Sequence, residues 1–373
     1  MLKQIIKKIV DFKAIKTNRK LVIIMSDDWG SLRIKSKQDQ DALIKKGLVI
    51  NNRFDEFDVL ETNDDLELLF EVLTKHKDYK GNHPLISAVT NVCNPDFEKI
   101  KADNFQNYYF ESIDQTYNRY PHSDRVLSLT KEGTMNNIFV PQSHGREHVQ
   151  VNWWIQELQN KDSFASKFFE NEFFFLGPNY INSPKRNRGI GASFDVWDAE
   201  DLKKSKLIAA SSLQIFKGLY GYSSKVFTPP AMFYNPCIES VLKKEGVDWI
   251  DVGRYFYTPL INGKEKKQLN YLGKTNKSGL KVLVRNCVYE SNIKETDNGV
   301  NRCLFDIEQA FRAKQPAIIS NHRASFVGGI SVVNRDKGLH SLDLLLKSIL
   351  LKWPDVEFVS VRNLEILIKK KKA

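Results

Sequence analysis

The stretch Leu21-Val22-Ile23-Ile24-Met25-Ser26-Asp27-Asp28-Trp29-Gly30 runs from five apolar side chains into two carboxylates. A short apolar run bounded by polar and turn-forming residues is typical of a buried β-strand. A second run, Ala317-Ile318-Ile319, leads in the same way to Asn321 and His322. Taken alone, Asp27-Asp28 also fits a turn or a helix N-cap. Acidic and imidazole groups at the ends of two buried strands, far apart in sequence, instead favour one catalytic centre.

Two histidines lie four positions apart in Ser143-His144-Gly145-Arg146-Glu147-His148. On one helical turn this spacing places both imidazoles on the same face. With one carboxylate they make a three-ligand metal site that leaves positions open for water and substrate. The same residues also spell the inverted zinc-protease motif, with Glu147 as the base. That interpretation requires a helix across the motif, which Gly145 and the preceding Pro141 disfavour.

Strand-like and helix-like segments alternate over most of the chain. The strand candidates are 21–26, 85–90, 137–140, 225–228, 249–252, 280–285, 317–321 and 356–361. The helix candidates are 38–46, 64–76, 149–158, 199–218, 236–244, 306–314, 341–352 and 363–370. This alternation predicts an α/β fold with a parallel sheet, and chemistry at several strand ends favours a barrel over an open sheet. Segment 255–278 is typical of a hairpin-bearing insertion, and the aromatic segment 164–176 predicts a helix followed by a strand.

The net charge of +11 is concentrated at the two ends of the chain. Residues 1–20 carry seven basic side chains and one acidic side chain, and residues 369–372 are four lysines, so the ends hold ten of the eleven excess charges. The remainder is nearly neutral, which argues against nucleic-acid binding, because such proteins carry a basic face of their own. Segment 1–20 has the pattern of a basic amphipathic helix. Such a helix either contacts an anionic membrane surface or packs on the domain with its lysines in solvent.

The remaining composition predicts a cytoplasmic protein, with residues 1–20 as the point of any peripheral contact with the inner face of the membrane. No apolar stretch is long enough for a transmembrane helix, and lysines interrupt the apolar residues near the N-terminus, which is unlike a secretory signal. The four cysteines are widely spaced and predict reduced thiols. We expect three parts: a basic amphipathic segment 1–20, a barrel domain 21–368 and a basic tail 369–373.

Four motifs, in order along the chain, resemble those of the polysaccharide deacetylase family, carbohydrate esterase family 4, in the glycoside hydrolase/deacetylase barrel superfamily. They are Ser26-Asp27-Asp28-Trp29-Gly30, His144-Gly145-Arg146-Glu147-His148, Phe227-Thr228-Pro229-Pro230-Ala231 and Ile318-Ile319-Ser320-Asn321-His322. The resemblance covers residues 21–325. It implies a distorted (β/α) barrel of about seven parallel strands.

The roles implied by this resemblance divide into catalysis, metal binding and substrate contact. In catalysis, Asp27 is the general base and His322 the general acid. Asp28, His144 and His148 are the ligands of one divalent ion, most often zinc. The substrate contacts are Pro230, the backbone N–H of Ala231, and Trp29, which either lines the sugar site or packs in the core. The implied activity is metal-dependent hydrolysis of an N-acetyl group on a sugar of a polysaccharide or glycan precursor.

The resemblance departs from the family at one position that bears on activity. Thr228 stands where the family has an arginine that braces the base, and the candidate substitutes are Arg146, Arg254 and Arg323. Asp248-Trp249-Ile250-Asp251 has the composition of the family's bracing acidic segment, with no roles assigned to its residues. Without a bracing arginine, the chain would be an impaired barrel that binds a glycan or a partner protein. The inverted-motif zinc protease is the third interpretation.

Overall fold

The computed structural model describes residues 10, 12–181, 189–291 and 299–364. Most of the predicted amphipathic helix in segment 1–20, the end of the predicted helix 363–370 and the basic tail 369–373 lie outside these residues. Within segment 1–20, Val10 is buried and Phe12 is 85% exposed. The membrane contact of this segment stays a prediction.

Strands and helices alternate along the described residues. The strands are β1 (Lys20–Trp29), β2 (Ile86–Thr90), β3 (Cys93–Pro95), β4 (Phe110–Ser112), β5 (Phe139–Ser143), β6 (Val226–Phe227), β7 (Trp249–Asp251), β8 (Tyr255–Pro259), β9 (Glu265–Leu269), β10 (Lys281–Leu283), β11 (Cys287–Val288), β12 (Ala317–His322) and β13 (Val356–Phe358). The helices are α1 (Lys37–Lys45), α2 (Arg53–Phe57), α3 (Asn63–Thr74), α4 (Phe97–Ala102), α5 (Ile113–Arg119), α6 (Val126–Met135), α7 (Val151–Leu158), α8 (Phe164–Phe169), α9 (Ala199–Tyr220), α10 (Glu239–Lys244), α11 (Gly299–Arg312) and α12 (Val332–Lys352).

One sheet of nine strands organises the molecule. Its order is β10-β7-β6-β5-β2-β1-β12-β11, and β13 pairs with the first residues of β1. Every pairing in this sheet is parallel. In the register of β1 and β12, Asp27 lies opposite His322. The two polar strand ends that stand out in the sequence are therefore neighbours in space.

The sheet closes on itself through one short segment of chain. β10 and β11 lie at opposite ends of the strand order, yet only residues 284–286 separate them. Before this link, β10 pairs with β7, and after it, β11 pairs with β12, both in parallel. Because three residues span only about 10 Å, the two edges of the sheet must meet. Counting β10 and β11 as one position gives a barrel of seven positions, with β13 outside it, and confirms the predicted (β/α) barrel.

The alternation of side chains in β1 separates an inner core from an outer one. Ile23 and Met25 join a cluster that includes Trp249 of β7 and Leu283 of β10, as expected for side chains that point into the barrel. Val22 and Ile24 belong instead to the larger cluster between the strands and the surrounding helices. Successive side chains of a strand alternate between faces, so the inward set continues from Met25 to Asp27. The strand pattern thus delivers Asp27 to the mouth of the barrel.

Local signals explain where the longest described helix begins and ends. The side chain of Asp198 accepts a hydrogen bond from the backbone N–H of Asp201 at 2.9 Å and caps the start of α9. Gly221 ends the helix in the left-handed conformation, with φ of 76°. The sequence predicted this helix at 199–218, close to its observed bounds. Among the described residues, no helix has the length and apolar character needed to cross a membrane.

Outside the barrel, one predicted element is confirmed and one is wrong. β8 and β9 form the predicted hairpin as an antiparallel pair. The strand predicted after α8, within 164–176, is absent from the described residues, because residues 173–177 adopt no regular structure. Phe173 and Phe174 are fully buried there and pack as core side chains. The strand was predicted only from the run of apolar residues. Such a run shows that the segment is buried, but not that it pairs in a sheet.

Candidate active site

A bulge in β1 brings both aspartates to the same cavity. Pairing of β1 with β2 advances by three residues on β1, from Ser26 to Trp29, but by only two on β2. Asp28, within the bulge, has a left-handed backbone with φ of 74°, which aspartate tolerates better than most residues. In a regular strand Asp28 would point away from Asp27. The bulge removes that alternation, and both side chains line one cavity.

The two histidines converge through a loop and not through a helical turn. The residues from His144 to His148 follow β5 without helical structure, so the geometry predicted from their spacing is wrong although the side chains do meet. Gly145 permits the turn with φ of 90°, and a Cβ at this position would lie 3.0 Å from the Phe194 ring. The ring centroids of His144 and His148 are 5.2 Å apart. A tight, glycine-dependent loop thus replaces the expected helix.

Asp28, His144 and His148 point at one another. Asp28 Oδ1 lies 3.3 Å from His144 Nε2 and 3.6 Å from His148 Nε2. One donor atom from each residue lies within 4.8 Å of the other two. His144 Nδ1–H donates to the backbone carbonyl of Thr228 at 2.8 Å, and this bond selects the tautomer whose Nε2 lone pair faces Asp28.

The electrostatics of this trio suit the protonation states of metal ligands. Burial opposes ionisation of Asp28, but the imidazoles of His144, His148 and His322 outweigh it in their protonated forms, at low pH, and hold the pKa of Asp28 well below its usual value. Burial lowers the pKa of His148 to about 4, against the opposing charge of Asp28. Asp28 is therefore anionic and His148 neutral at pH 7, as metal binding requires.

The donor set fits a divalent ion such as zinc. Two imidazole nitrogens and one carboxylate oxygen are the usual three protein ligands of a catalytic zinc site, in which the remaining positions stay open. Here the three residues line a cavity that is open to solvent on one side. Among the described residues, no other group of three or more histidine, cysteine or acidic side chains has this geometry.

Arg285 supplies the guanidinium beside Asp27 that the third motif, with Thr228, does not provide. Its Nη1 and Nη2 each donate to an oxygen of Asp27 at 2.7 Å, and its Nε donates to Asp251 Oδ2 at 2.8 Å. Thr228 Oγ1 donates to the same Asp251 oxygen at 3.0 Å. The two carboxylates raise the pKa of Arg285 against the effect of its burial. The two parallel hydrogen bonds thus hold Asp27 in a fixed orientation.

The three arginines proposed from the sequence as substitutes are not the partners of Asp27. Arg146 pairs with its neighbour Glu147, with Nε 2.5 Å from Oε2. Arg323 is fully buried and bridges Asp58 and Glu61. Arg254 makes no described contact with Asp27. Sequence analysis did not select Arg285, although it is the last residue of the predicted strand 280–285. A charged side chain at the end of an apolar strand could have indicated a place in the active site.

His322 is held in place by Glu290, which sequence analysis also missed. His322 Nδ1–H donates to Glu290 Oε1 at 2.6 Å, and Nε2 lies 3.8 Å from Asp27 Oδ2. Arg53 Nη2 donates to the same Glu290 oxygen at 2.7 Å. Burial opposes protonation of His322, but the hydrogen bond and charge of Glu290 outweigh it and raise the pKa of the imidazole. The edge of the Phe54 ring completes the setting, 4.9 Å from His322 between centroids.

These groups surround one cavity of about 520 Å³ at the carboxyl ends of the strands. Its walls include Phe54, Phe175, Ala231 and Met232. The last two have left-handed backbones, with φ of 57° and 51°, in the turn after β6. Such strain in residues other than glycine is concentrated at functional sites, because the surrounding structure must hold it in place.

Two predicted substrate contacts require correction. Trp29 is 1% exposed and packs edge-to-face on Phe139, with centroids 4.8 Å apart, so it belongs to the core and not to the cavity wall. Pro230 is buried and does not line the cavity, whereas its neighbour Ala231 does. The bulge explains Trp29: after Asp27 and Asp28 both turn inward, the next side chain points out toward the helices.

The inverted zinc-protease interpretation is also wrong. Glu147 is fully buried and engaged by Arg146, and it does not line the cavity. Its backbone carbonyl accepts a hydrogen bond from Ser193 Oγ at 2.6 Å. A base in that motif must reach the metal and its water from a helix. Here Glu147 points away and fastens the histidine loop.

Comparison with known proteins gives fold relatives only. No protein-family model and no curated protein sequence matches the chain. A structure from Parabacteroides distasonis, described as a glycoside hydrolase/deacetylase, aligns with 96% of this chain and 73% of its own, with a TM-score of 0.51 and 8% identity. A structure from Mycobacterium smegmatis described as a polysaccharide deacetylase covers 95% of this chain and 92% of its own, with a TM-score of 0.44 and 8% identity. A 4-alpha-glucanotransferase from Thermococcus litoralis covers 94% and 40%, with a TM-score of 0.45 and 10% identity.

Of these three structures, the one from Parabacteroides distasonis has a TM-score above 0.5. Its TM-score supports a shared fold, while identity this low carries no information on activity. At the lower TM-scores of the other two, the likeness has no bearing on function. The chain has the barrel fold of glycoside hydrolase/deacetylase proteins, as its sequence predicted.

Proposed function

We propose that the protein is a metal-dependent hydrolase that removes an N-acyl group, most simply acetyl, from a sugar of a polysaccharide or glycan precursor. The observation that carries this proposal is the convergence of three kinds of group on one cavity. They are a carboxylate held by Arg285, an imidazole held by Glu290, and the trio Asp28, His144 and His148. Amide hydrolysis needs a base, an acid and a means of stabilising negative charge, and these groups match those needs.

Asp27 and His322 divide the proton transfers between them. Arg285 holds both oxygens of Asp27 in place, and Asp27 accepts the proton of the attacking water. The pKa of His322 is raised by Glu290, which favours the protonated imidazole, so His322 donates the proton that the departing sugar amine requires. Different surroundings separate a base from an acid only 3.8 Å apart, which is how active sites assign these roles.

The remaining task is to stabilise the negative charge on the carbonyl oxygen. A divalent ion held by Asp28, His144 and His148 would supply Lewis acidity and lower the pKa of water there. The backbone N–H of Ala231 is our candidate for a second donor to that oxygen, because Ala231 lines the cavity in a constrained left-handed turn.

The shape and lining of the cavity support a sugar as the bearer of the acyl group. Its volume of about 520 Å³ lies within the usual range for small-molecule sites. Phe54 and Phe175 contribute apolar surface to one wall, while the polar groups lie at the strand ends, a mixture that suits the apolar and hydroxylated faces of a pyranose.

The decisive experiment measures bound metal and then acetate release from a panel of N-acetylated glycans. His144→Ala removes one ligand and is expected to abolish both metal binding and acetate release. His340→Ala, an exposed histidine on α12, is the matched control and should behave like the wild type. Full acetate release by His144→Ala would exclude the proposal.

The impaired-barrel alternative rested on the missing arginine of the third motif. Arg285 occupies the position that this arginine was expected to fill, with two bonds to Asp27. That alternative has therefore lost its main support, and we do not adopt it as a second function.

A further inference from the structure

Arg33 is a charged residue that lines the active-site cavity and has no role in the proposed reaction. It follows the bulge of β1 and lines the cavity together with the metal-binding trio. Its guanidinium carbon lies 4.1 Å from the centroid of Phe175 and 5.2 Å from that of Phe54. The side chain is only 11% exposed. A planar guanidinium between two rings is held in one orientation.

Most of the hydrogen-bonding capacity of this guanidinium is unused. Nη2 donates to Asp55 Oδ1 at 3.0 Å, and this is its one hydrogen bond to a described residue. Nε is buried without a partner in the described part of the chain. A guanidinium has five N–H donors, and buried donors are almost always satisfied by protein, water or ligand. The unused donors of Arg33 call for an acceptor that enters the cavity.

The two other arginines near the site do not line the cavity and already have carboxylate partners. Arg285 is shared between two carboxylates, and Arg53 donates to Glu290. Arg33 has one carboxylate, Asp55, whose second oxygen accepts from Asn52 at 2.6 Å. Arg33 is therefore the cationic group best placed to meet a second anion.

The position of Arg33 relative to the metal-binding trio limits where that anion would lie. Phe175 packs on Arg33 with one part of its surface and on His148 with another, with ring centroids 5.0 Å apart in the second contact. The guanidinium is thus separated from a metal ligand by the width of one ring. An acceptor bound to Arg33 would belong to the same substrate molecule as the acyl group, at the distance of a neighbouring substituent or sugar unit.

We propose that Arg33 binds an anionic group of the substrate, a carboxylate or a phosphate ester, carried by the acylated sugar or by the unit next to it. This inference rests on the proposed function and names its substrate class as acidic N-acylated sugars. The planar fork of arginine matches both kinds of anion with two parallel hydrogen bonds. Lysine would supply charge without that fork.

The alternative is that Arg33 only anchors α2 through Asp55. That helix has its own cap, because Asn52 Oδ1 accepts from the backbone N–H groups of Phe54 and Asp55 at 3.0 Å. A structural role would make an Arg33 variant less stable and equally poor on every substrate. A recognition role affects only substrates that carry the anion.

The test compares three N-acetylated sugars that differ in charge: a neutral N-acetylglucosamine oligomer, an N-acetylglucosaminuronic acid and an N-acetylglucosamine 1-phosphate. For the wild type we expect kcat/KM to be at least about tenfold higher on one of the two anions than on the neutral sugar. Arg33→Gln should raise KM for that anion about tenfold or more and change KM for the neutral sugar much less. Arg33→Lys should lie between the two. The two anionic substrates distinguish a carboxylate from a phosphate ester.

Arg335→Gln is the matched control, since Arg335 is 14% exposed, pairs with Asp65 and lies outside the cavity. It should leave the preference among the three sugars unchanged. The inference is overturned if the wild type treats neutral and anionic sugars alike, or if Arg33→Gln harms all of them equally.

Failure of the proposed function would be recognised separately. If no sugar releases acetate, calorimetry with glucuronate, glucose 1-phosphate and glucose measures recognition without chemistry. Binding of either anion that is lost in Arg33→Gln supports the anion site even then. Equal binding of all three sugars, or no binding of any, would refute it.

Discussion

Arg285 fixes Asp27, the proposed general base, and this contact leads to a prediction for a single residue. Replacing it by lysine keeps one positive charge but removes the fork that holds Asp27 and Asp251 together. We expect kcat to fall by about 10² or more, within the usual contribution of general-base catalysis, with little change in bound metal. Steady-state kinetics and metal analysis on the same preparation provide the measurement.

The control for this substitution is Arg302→Lys, which changes an exposed arginine of α11. Its kcat should match that of the wild type. Circular dichroism should show both variants folded, because the buried carboxylates keep a cationic partner. An unaltered kcat in Arg285→Lys would remove Arg285 from the mechanism.

The pH dependence of the reaction tests the pairing of His322 with Glu290. In the proposed mechanism His322 acts as an acid only while protonated, so kcat should fall as the pH rises through its pKa. Glu290 raises that pKa, and Glu290→Gln removes the charge responsible. The alkaline limb of the kcat profile should therefore move to lower pH. Glu308→Gln, at a surface ion pair, should leave the limb in place, and so would Glu290→Gln if His322 were not the acid.

Residues of the site were predictable where they follow long apolar runs. Asp27, Asp28 and His322 end such runs, and the structure places all three with His144 and His148 on one cavity. Glu290 follows β11, which is only two residues long and shows no periodicity. Arg285 was missed because the arginine was sought in or near the recognised motifs, whereas it comes from the strand that closes the barrel.

At the scale of elements, the histidine loop depends on Gly145. Gly145→Ala is expected to lower stability by about 1 kcal/mol or more, because alanine is strained at positive φ. It should also weaken metal binding, since the new Cβ would lie 3.0 Å from Phe194 and displace the loop. Thermal unfolding and zinc titration measure the two effects independently.

Gly221→Ala separates backbone strain from displacement of the loop. Gly221 has a similar φ of 76° at the end of α9, and a Cβ there would meet nothing within 4 Å. This variant should lose comparable stability and bind zinc normally. Equal zinc affinity in both variants would contradict a steric role for Gly145.

Regular elements were easier to predict than irregular ones. The runs that became β1, β12 and α9 have clear periodicity or caps, and their observed bounds lie close to the predicted ones. The bulge at Asp28 depends on pairing with β2, which no local pattern reveals. The short helices α4 and α5 were missed because they are too brief for a 3.6-residue period to emerge.

Over the whole molecule, the proposed metal site links two distant parts of the chain, the end of β1 and the loop after β5, and a bound ion should stabilise the fold. An ion that binds only the folded state adds about 2.7 kcal/mol at a hundredfold excess over Kd. Chelation is therefore expected to lower Tm by several degrees, and added zinc to restore it. His144→Ala should unfold at one temperature with or without zinc. A zinc-dependent Tm in that variant would indicate a different binding site.

The overall architecture followed from the sequence because alternation of strands and helices leaves few topologies open. The sequence predicted a barrel but not where it closes, since closure depends on a segment that changes partner from β7 to β12 within a few residues. The order of strands in a parallel sheet is set by long-range pairing. The sequence predicted the type of fold and the edge of the sheet where the chemistry lies.

Arg285 binds the carboxylates of Asp27 and Asp251 at once, and this affects how related active sites should be recognised. What the chemistry requires is a guanidinium at a given point in space, and the chain can deliver it from more than one strand. Linear motif searches would class such proteins as pseudoenzymes. A three-dimensional template, built from a bridged carboxylate pair beside two imidazoles, would retrieve them whichever segment contributes the arginine.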